Sequence, residues 1–536
     1  MSTTESNRPS SDRWWQAGVV YQIYPRSFQD SNDDGIGDLR GIHERLDYLQ
    51  WLGVMAVWIS PIYPSPMADF GYDVANYIDV DPMFGTLADC DSLVRALHAR
   101  GLKLILDFVP NHTSSQHPWF RESRASRASR KRNWYVWRDP APDGGPPNNW
   151  LSEFGGPAWT FDPQTEQYYY HAYLPEQPDL NWREPGVEAA MHEVLRFWLD
   201  RGVDGFRVDA IHMLVEDESL QDNPPNPLWK PGMSPARKLL RVHSSDRPET
   251  HDFVARMRDV LDRYADRVFI GEAYLSIDRL MRYYGESMEG FHLPFNFHLI
   301  SAPWQPQPIA ELVREYEAAL PPGGWPNWVL GNHDKSRVLT RLRGVSQARL
   351  AALLLLTLRG TPTLYNGDEI GMHDVSIPAE QVQDPRERNV PGLGLGRDPC
   401  RTPMQWSASA NAGFTRGFPW LPVAADFSTC NVALQVTEPH SLLHLYRRLL
   451  ALRRAEPALA VGDYREVFVA EHVFVFERAL GGRRLFVALN FSDALKRITL
   501  PVPVSALLSC STHPTFDGSR ASIDLQPFEG IVTAAI

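Results

Sequence analysis

The sequence is poor in cysteine and contains no long hydrophobic run. Its 536 residues include four cysteines, and none of these has CxxC or other metal-ligand spacing. Their scatter argues against a zinc site and against a dense disulfide framework, so reduced thiols are the simplest interpretation. The first ten residues lack the apolar segment of a signal peptide, and the longest apolar run, residues 350–358, is too short to cross a bilayer. We therefore expect a cytoplasmic protein without a membrane partner.

An excess of positive charge is also missing. The chain carries 53 Lys and Arg against 65 Asp and Glu, which gives a formal charge of −12. This balance argues against nucleic acid as the main partner and favours a neutral small molecule. Six basic residues do occur between Arg121 and Arg132, but their spacing of about three predicts that most of them lie on one solvated helical face.

The chain is long enough for several domains and is rich in tryptophan. A length of 536 residues favours roughly two to four domains. Its 17 tryptophans exceed what bulk packing requires. This excess is consistent with stacking against sugar rings, although core packing explains many of them.

Residues 203–212 place an arginine and an aspartate in one buried strand. The run alternates apolar and charged residues, so that Arg207 and Asp209 fall on the same face. A guanidinium beside a buried carboxylate can hold it ionised, which suits Asp209 to act as an anionic nucleophile. The alternative is a buried ion pair that only fixes the register of the strand.

Carboxylates or histidines end several other apolar runs of the chain. Such runs end at His112, at Glu272 and at His333 with Asp334. Polar residues at the C-terminal tips of successive strands, with helical patterns between them, are the layout of a (β/α)8 barrel site. We therefore predict an α/β fold built on a (β/α)8 TIM barrel.

An acidic loop follows the first predicted strand. Gly35 permits a sharp turn in it, and the pattern matches a hard-cation loop of the EF-hand type, except that Gly41 stands where such a loop has its bidentate Glu. An Asx-rich turn without an ion is the alternative. The candidate oxygen donors are Asp30, Asn32, Asp34, the carbonyl of Ile36, and Asp38.

Taken together, these motifs resemble the α-amylase family of glycoside hydrolases over nearly the whole chain. Within that family the segment Gln177-Pro-Asp-Leu-Asn181 is typical of the α-glucosidase and oligo-1,6-glucosidase branch. The resemblance implies Asp209 as nucleophile, Glu272 as general acid/base and Asp334 as a third carboxylate that holds sugar hydroxyls. It implies no cofactor for catalysis, but a structural Ca²⁺ or Mg²⁺ in the acidic loop.

The three carboxylates are expected to shift one another's pKa values. Like charges nearby should raise the pKa of Glu272, whereas Arg207 should keep the pKa of Asp209 low. A separation of about 5–5.5 Å between the two catalytic carboxyl groups would mean a covalent intermediate and retention of the α configuration.

The resemblance also implies a sugar pocket that is closed at one end. Pairing of Asp69 with Arg401 would close it beyond the first glucose and limit attack to chain ends. For His112 and His333 the alternative is that they are satisfied core imidazoles. The residues expected to contact the sugar are Asp69, Tyr72, His112, Phe154, Tyr173, Gln177, Arg207, His333 and Arg401.

The family pattern divides the chain into three predicted domains. Residues 1–107 and 178–455 form the barrel, and residues 108–177 form a small domain inserted after the third strand. In residues 456–536, apolar and polar residues alternate in short runs that are typical of antiparallel strands. This segment is expected to form a C-terminal β-sandwich.

The expected activity is that of a retaining, exo-acting α-glucosidase that releases or transfers terminal glucose from maltose and short α-1,4-glucooligosaccharides. Ala210, after the expected nucleophile, accompanies α-1,4 specificity in this branch. Alternatives are an oligo-1,6-glucosidase and a sucrose-active glucosyltransferase or isomerase. A different class is a non-catalytic accessory subunit of amino-acid transporters, which would need a membrane anchor. The protein is expected to be a monomer or a homodimer.

Overall fold

A computed structural model describes residues 13–512 and 519–536 of the protein. The N-terminal stretch without an apolar segment lies outside these residues. Within the described part of the chain, no helix has both the length and the apolar character needed to cross a membrane. The expected cytoplasmic location and oligomeric state stay predictions, as do the exact domain boundaries.

Eight parallel strands form the barrel at the centre of the fold. The sheet runs in the order 7-8-1-2-3-4-5-6, and a bridge between Asn296 and Trp328 joins its two ends. The predicted (β/α)8 fold is confirmed. Nearly every strand residue is buried, which explains why the strands appear in the sequence as short apolar runs. In chain order the strands are Val20–Ile23, Ala56–Ile59, Lys103–Phe108, Gly205–Val208, Val268–Gly271, Leu293–Pro294, Asn327–Val329 and Thr361–Tyr365.

The helices around the barrel are amphipathic and capped. In the helix Leu87–Ala99, Thr86 and Asp89 form a reciprocal capping box. This helix buries Cys90, Leu93, Val94 and Leu97, which recur at helical spacing and face the barrel.

The described α-helices are Trp14–Ala17, Leu39–Glu44, Leu46–Leu52, Leu87–Ala99, Pro118–Ala125, Pro185–Asp200, Glu249–Leu261, Ile277–Met281, His298–Ser301, Pro306–Ala319, Val338–Leu342, Val345–Thr357, Pro385–Asn389, Val432–Thr437, Leu442–Ala455 and Pro457–Val461. Short 3-10 turns are Pro25–Ser27, Arg132–Trp134, Ile211–Met213, Pro235–Lys238, Arg282–Tyr284, Asp368–Ile370, Ala379–Gln381, Asp398–Cys400 and Ala410–Gly413.

The segment inserted after the third barrel strand carries its own small sheet. Three antiparallel strands, Trp137–Arg138, Gln167–Tyr170 and Trp159–Asp162, lie side by side in this order. Bridges from His112 to Asp179 and from Tyr135 to Leu180 tie the start of the insertion to its end. The insertion therefore leaves and rejoins the barrel at one place, beside the C-terminal ends of the strands.

The basic run in this insertion does not form the predicted helical face. Its helix ends at Ala125, and the later members follow in turns. Arg132 is buried, donates to the Thr165 hydroxyl at 3.0 Å and stacks over the Trp137 ring at 3.6 Å. The prediction of one helical face is therefore wrong, because the helix ends early and Arg132 binds the inserted sheet. Most members of the run are exposed to solvent as predicted, namely Arg121, Arg124, Arg127 and Arg130.

The C-terminal strands form a single hydrogen-bonded antiparallel sheet rather than two separate sheets. One face, including Phe474 and Val487, belongs to the same apolar core as the barrel helices. The other face carries a separate cluster that includes Val475 and Phe486. In chain order the strands are Asp463–Val469, Val473–Leu480, Arg483–Asn490, Lys496–Ser509, Ser519–Leu525 and Gly530–Ala535, and in the sheet they run 1-2-3-6-4-5.

Candidate active site

Arg207, in the fourth barrel strand, joins three carboxylates. Its Nη1 lies 2.7 Å from Oδ1 of Asp107 and 2.8 Å from Oδ1 of Asp209, and its Nη2 lies 2.6 Å from Oε1 of Glu272. The parallel register places Asp107 beside Arg207 on the neighbouring strand. Asp209 and Glu272 therefore meet on one guanidinium at the C-terminal end of the barrel, as the pattern of strand tips predicts.

A strained turn fixes the relative position of these two carboxylates. Ala210 has φ 46° and ψ 33°, a left-handed conformation that side chains other than glycine rarely adopt. This conformation lets the Ala210 N–H donate to Oε2 of Glu272 at 3.0 Å. The Glu272 N–H in turn donates to the Val208 carbonyl at 2.9 Å. The turn thus holds Glu272 beside Asp209 from both its backbone and its side chain.

The pKa of Asp209 is raised well above its ordinary value. Burial is the main cause, the Glu272 carboxylate adds to the rise, and Arg207 opposes it. The expectation that Arg207 keeps this pKa low is wrong. One guanidinium is shared by three buried carboxylates and cannot neutralise all of them.

Asp334, after the seventh strand, is held in the ionised state. Burial alone would raise its pKa, but the permanently charged guanidinium groups of Arg397 and Arg401 outweigh that effect and hold the pKa well below its usual range. Arg401 Nη2 lies 2.7 Å from Asp334 Oδ1, and Arg397 Nη1 lies 3.4 Å from the same oxygen. Two neighbouring acids of the site, Asp209 and Asp334, thus have pKa values that are shifted in opposite directions.

The arginine that pairs with Asp69 is Arg397. Its Nη2 lies 2.6 Å from Oδ1 of Asp69, and Asp384 holds the same nitrogen at 2.7 Å. The predicted Asp69–Arg401 pair is wrong. The 3-10 turn Asp398–Cys400 separates the two arginines, so that Arg401 lies fully buried behind Asp334 and donates to the His333 carbonyl at 2.7 Å.

A stacked pair of rings forms the floor beneath the carboxylates. The rings of Tyr72 and His333 are parallel within 1°, with centroids 5.6 Å apart. The Tyr72 hydroxyl lies 3.0 Å from Oδ2 of Asp107 and 2.8 Å from Nε2 of His333, and Nδ1 of His333 lies 2.7 Å from Nε2 of Gln22. Burial lowers the pKa of His333 to about 3, so its imidazole is neutral at physiological pH. The floor is therefore rigid and carries no positive charge of its own.

A second polar cluster joins the inserted segment to the loop after strand two. Nε2 of Gln177 lies 3.0 Å from Nε2 of His112 and 3.4 Å from Oδ2 of Asp69. Burial lowers the pKa of His112 to about 3. The ring of Tyr173 packs against His112 on one side and Phe154 on the other, with centroids 5.3 and 6.2 Å away. Polar hydrogen-bonding groups and aromatic faces thus lie together.

These groups line a cavity of about 630 Å³. Arg207, His333 and Arg401 lie behind its lining and hold the lining residues in place. The predicted residues that do line it are Asp69, Tyr72, His112, Phe154, Tyr173, Gln177, Asp209, Glu272 and Asp334. Residues that sequence reasoning missed include Glu153, His212, Arg237, Tyr274, Lys335, Arg386 and Arg397. Two of these had a visible signal, because Lys335 directly follows Asp334 and Arg397 shares a motif with Arg401.

The acidic loop of residues 30–38 is a succession of Asx turns in this structure. Oδ1 of Asn32 accepts the Asp34 N–H, and Oδ1 of Asp34 accepts the Ile36 N–H. Gly35 is required, because its φ is +90° and an added Cβ would lie 1.8 Å from the Phe418 carbonyl oxygen. Within residues 13–512 and 519–536, no three His, Cys, Asp or Glu side chains form a metal-binding group.

The donor set of this loop nevertheless suits a hard cation. It consists only of oxygens, which Ca²⁺ and Mg²⁺ prefer. Asn32 and Asp34 keep acceptor positions in addition to the bonds that they make within the loop. Asp30 accepts from three backbone N–H groups and the Thr415 hydroxyl, so its carboxylate mainly shapes the loop.

The chain belongs to the alpha-amylase family, whose model described as "Alpha amylase, catalytic domain" matches residues 22–462. It is 44% identical over 518 residues to a "Probable alpha-glucosidase" of Rhizobium meliloti (strain 1021), covering 94% of each chain. It is 38% identical to an "Oligo-1,6-glucosidase" of Parageobacillus thermoglucosidasius, covering 91% of this chain and 92% of that one. The crystal structure of the alpha-glucosyl transfer enzyme XgtA superimposes with a TM-score of 0.93 at 41% identity, covering 98% of this chain and 100% of that one. The resemblance drawn from the motifs is confirmed.

Proposed function

We propose that the protein is a retaining, exo-acting α-glucosidase that can also transfer glucose to an acceptor alcohol. The observation that carries this proposal is the meeting of Asp209 and Glu272 on the guanidinium of Arg207, beside a cavity of about 630 Å³. Two carboxyl groups flanking one bond are what glycoside cleavage requires. The names of the relatives, alpha-glucosidase and alpha-glucosyl transfer enzyme, support the α-glucoside as substrate.

In the first step, Asp209 attacks the anomeric carbon and forms a glucosyl ester. The bond from that carbon to the aglycone oxygen breaks, and Glu272 gives its proton to the leaving oxygen. In the second step, a water or an acceptor hydroxyl attacks the same carbon, its proton passes to Glu272, and the ester bond to Asp209 breaks. Two inversions give net retention, and Asp334 holds sugar hydroxyls in the distorted ring.

Exo action follows from the pair of Asp69 and Arg397. Arg397 is fixed by Asp384 as well as by Asp69, so this salt bridge is a firm wall of the cavity. A wall of this kind would accept one terminal glucose and block further sugars beyond it. Maltose should therefore yield glucose from its non-reducing end.

The roles of the two carboxylates can be tested with azide. Glu272→Gln should lose turnover of maltose, and added azide should restore turnover of p-nitrophenyl α-glucoside with α-glucosyl azide as product. Asp209→Gly with azide should instead give the β-azide, because azide then attacks directly. Glu311→Gln, an exposed change on an outer helix, is the matched control. Undiminished turnover by Glu272→Gln would refute the assignment.

Hydrolysis and transfer differ only in the hydroxyl that meets the glucosyl ester. Incubation with maltose, with and without a phenolic acceptor, should give glucose alone in the first case and an aryl α-glucoside in the second. Chromatography of the products measures the split. Absence of any aryl glucoside at high acceptor concentration would remove transfer from the proposal.

We also propose that the loop of residues 30–38 binds Ca²⁺ or Mg²⁺ as a structural ion. Its support is the set of oxygen donors at alternate positions around Gly35. Either ion, added after chelation, should raise the melting temperature of the wild-type protein. Asp34→Ala should abolish this rise, whereas Asp47→Ala, a change at a side chain that is 85% exposed, should not. A rise that persists in Asp34→Ala would contradict the proposal.

A further inference from the structure

One wall of the cavity is unusually rich in cations. Five basic side chains line it: Arg237, Arg241, Arg279, Lys335 and Arg386. A neutral sugar has no need of such a wall, because hydroxyl groups are bound well by uncharged donors and by carboxylates.

Three of these cations have acidic partners. Arg241 and Arg386 share the Glu153 carboxylate, at 2.9 and 3.3 Å. Arg279 forms a salt bridge with Asp246. These two carboxylates are therefore engaged by arginines that already hold them in place.

Lys335 and Arg237 are the two that remain. In the part of the chain that the structure describes, neither side chain takes part in an ion pair or a hydrogen bond. The Lys335 ammonium lies 4.8 Å from the ring centroid of Tyr274, a contact that orients it without neutralising it. Burial lowers the pKa of Lys335, and the nearby charges of Arg386 and Arg237 lower it further, against the effect of Asp334. Among the described residues these two side chains thus lack a direct ion-pair partner, although the charges of Asp334 and Glu272 act on Lys335 from a distance.

The cationic wall is separate from the pair that closes the pocket. The guanidinium carbons of Arg397 and Arg386 lie 5.2 and 5.7 Å from the centroid of the Phe154 ring, so this ring marks the boundary between the two. Asp69 and Arg397 bound the first glucose. The cations beyond Phe154 therefore face the group that leaves with the aglycone oxygen or arrives with the acceptor.

We propose that Lys335 and Arg237, supported by Arg386, bind an anionic group, a carboxylate or a phosphate, on the aglycone or acceptor of the reaction. The inference rests on the proposed function, because it names the chemistry of the second partner at the same site. An anion placed there would receive charge-assisted hydrogen bonds, which are about twice as strong as neutral ones. Lys335 is half-buried and Arg237 is exposed, so the bond from Lys335 should contribute more.

The test compares α-glucosides that differ only in charge. The pair is 4-carboxyphenyl α-glucoside and 4-carbamoylphenyl α-glucoside, which have nearly the same shape and similar leaving groups. The measured quantity is the ratio of kcat/KM for the acid to that for the amide. A 4-(phosphonooxy)phenyl α-glucoside, measured beside them, tells phosphate recognition from carboxylate recognition.

We expect Lys335→Gln to lower this ratio about tenfold and Arg237→Gln to lower it about threefold. Arg95→Gln, on the outer helix Leu87–Ala99, removes one exposed charge and should leave the ratio unchanged. In the wild-type protein the ratio should also fall as salt rises, a measurement that does not depend on any variant folding.

The outcomes separate this inference from the proposed function. Turnover of the amide with a ratio that changes less than twofold in Lys335→Gln and is insensitive to salt would overturn the inference alone. Absence of turnover of maltose and of every aryl glucoside by the wild-type protein would overturn the proposed function and this inference with it.

Discussion

Arginine is buried at both ends of the barrel, but its partners differ. At the C-terminal end, Arg207, Arg397 and Arg401 bond to carboxylates. At the N-terminal end, Arg453 and Arg478 bond to backbone carbonyls where the barrel meets the C-terminal sheet. Arg453 donates to the carbonyls of Ala17, Leu356, Leu358, Gly360, Leu459 and Ala460, and Arg478 donates to those of Thr357, Gly462 and Asp463.

Buried arginine therefore has two different roles in this fold. A guanidinium beside acids shifts their pKa values and fixes their geometry, which concerns chemistry. A guanidinium among backbone carbonyls donates hydrogen bonds to oxygens that would otherwise be unpaired, and this stabilises the fold. In barrels of this kind the C-terminal face carries function and the N-terminal face carries stability. Substitutions at the N-terminal end should accordingly lower the melting temperature without a loss of activity, whereas those at the C-terminal end should always change activity.

The largest effect is expected for Asp209→Asn. Loss of the proposed nucleophile should lower kcat by about 10⁴-fold or more. The melting temperature should rise at pH 7, because burial raises the pKa of Asp209 and its ionised form therefore costs stability. A carboxyl group whose pKa is higher in the folded than in the unfolded state destabilises the fold only at pH values above its unfolded-state pKa, which is about 3.9. The difference in melting temperature between Asp209→Asn and wild type should therefore vanish below that pH. A variant that melts lower than wild type at pH 7 would contradict this account.

Arg207→Met should lower kcat/KM by about 10²–10³-fold and should also lower the melting temperature. It leaves three buried carboxylates, those of Asp107, Asp209 and Glu272, without their common cation. Arg207→Lys keeps the charge but not the planar fork, and should restore only part of the activity. Full activity in the lysine variant would mean that charge alone matters at this position.

The contrast between the two ends also marks what the sequence could predict. The barrel and the tips carrying Asp209, Glu272 and Asp334 follow from local patterns, since a parallel sheet brings its strand ends to one edge. The pairing of Asp69 with Arg397, and not with Arg401, does not follow from local patterns, because it depends on the conformation of a long loop. The pKa of Asp209 results from burial and from four charged neighbours, three of which belong to other strands or their tips, so no single motif determines it.

Arg453→Met should act on stability alone. Its six carbonyl partners would lose their donor, which should cost about 3 kcal/mol and lower the melting temperature by several degrees. The kcat for maltose at 25 °C should stay within about twofold of wild type, since Arg453 lies at the end of the barrel opposite the site. Thermal melts and steady-state kinetics on the same preparation measure both. A parallel loss of kcat would show that the two ends are coupled.

The smallest effect is expected at Ala210, whose backbone is strained and whose side chain is proposed to affect the preference between α-1,4 and α-1,6 bonds. A β-branched side chain at φ 46° should cost about 1–2 kcal/mol, so Ala210→Val should lower the melting temperature slightly. If the bulk of the side chain at position 210 sets the preference between α-1,4 and α-1,6 bonds, the ratio of kcat/KM for maltose over isomaltose should fall several-fold in the valine variant. Ala210→Gly relieves the strain without adding bulk, so it should melt at or above the wild-type temperature and keep the wild-type ratio. A fall of the ratio in both variants would trace the preference to the Ala210 backbone, whose N–H holds Glu272, rather than to the size of the side chain.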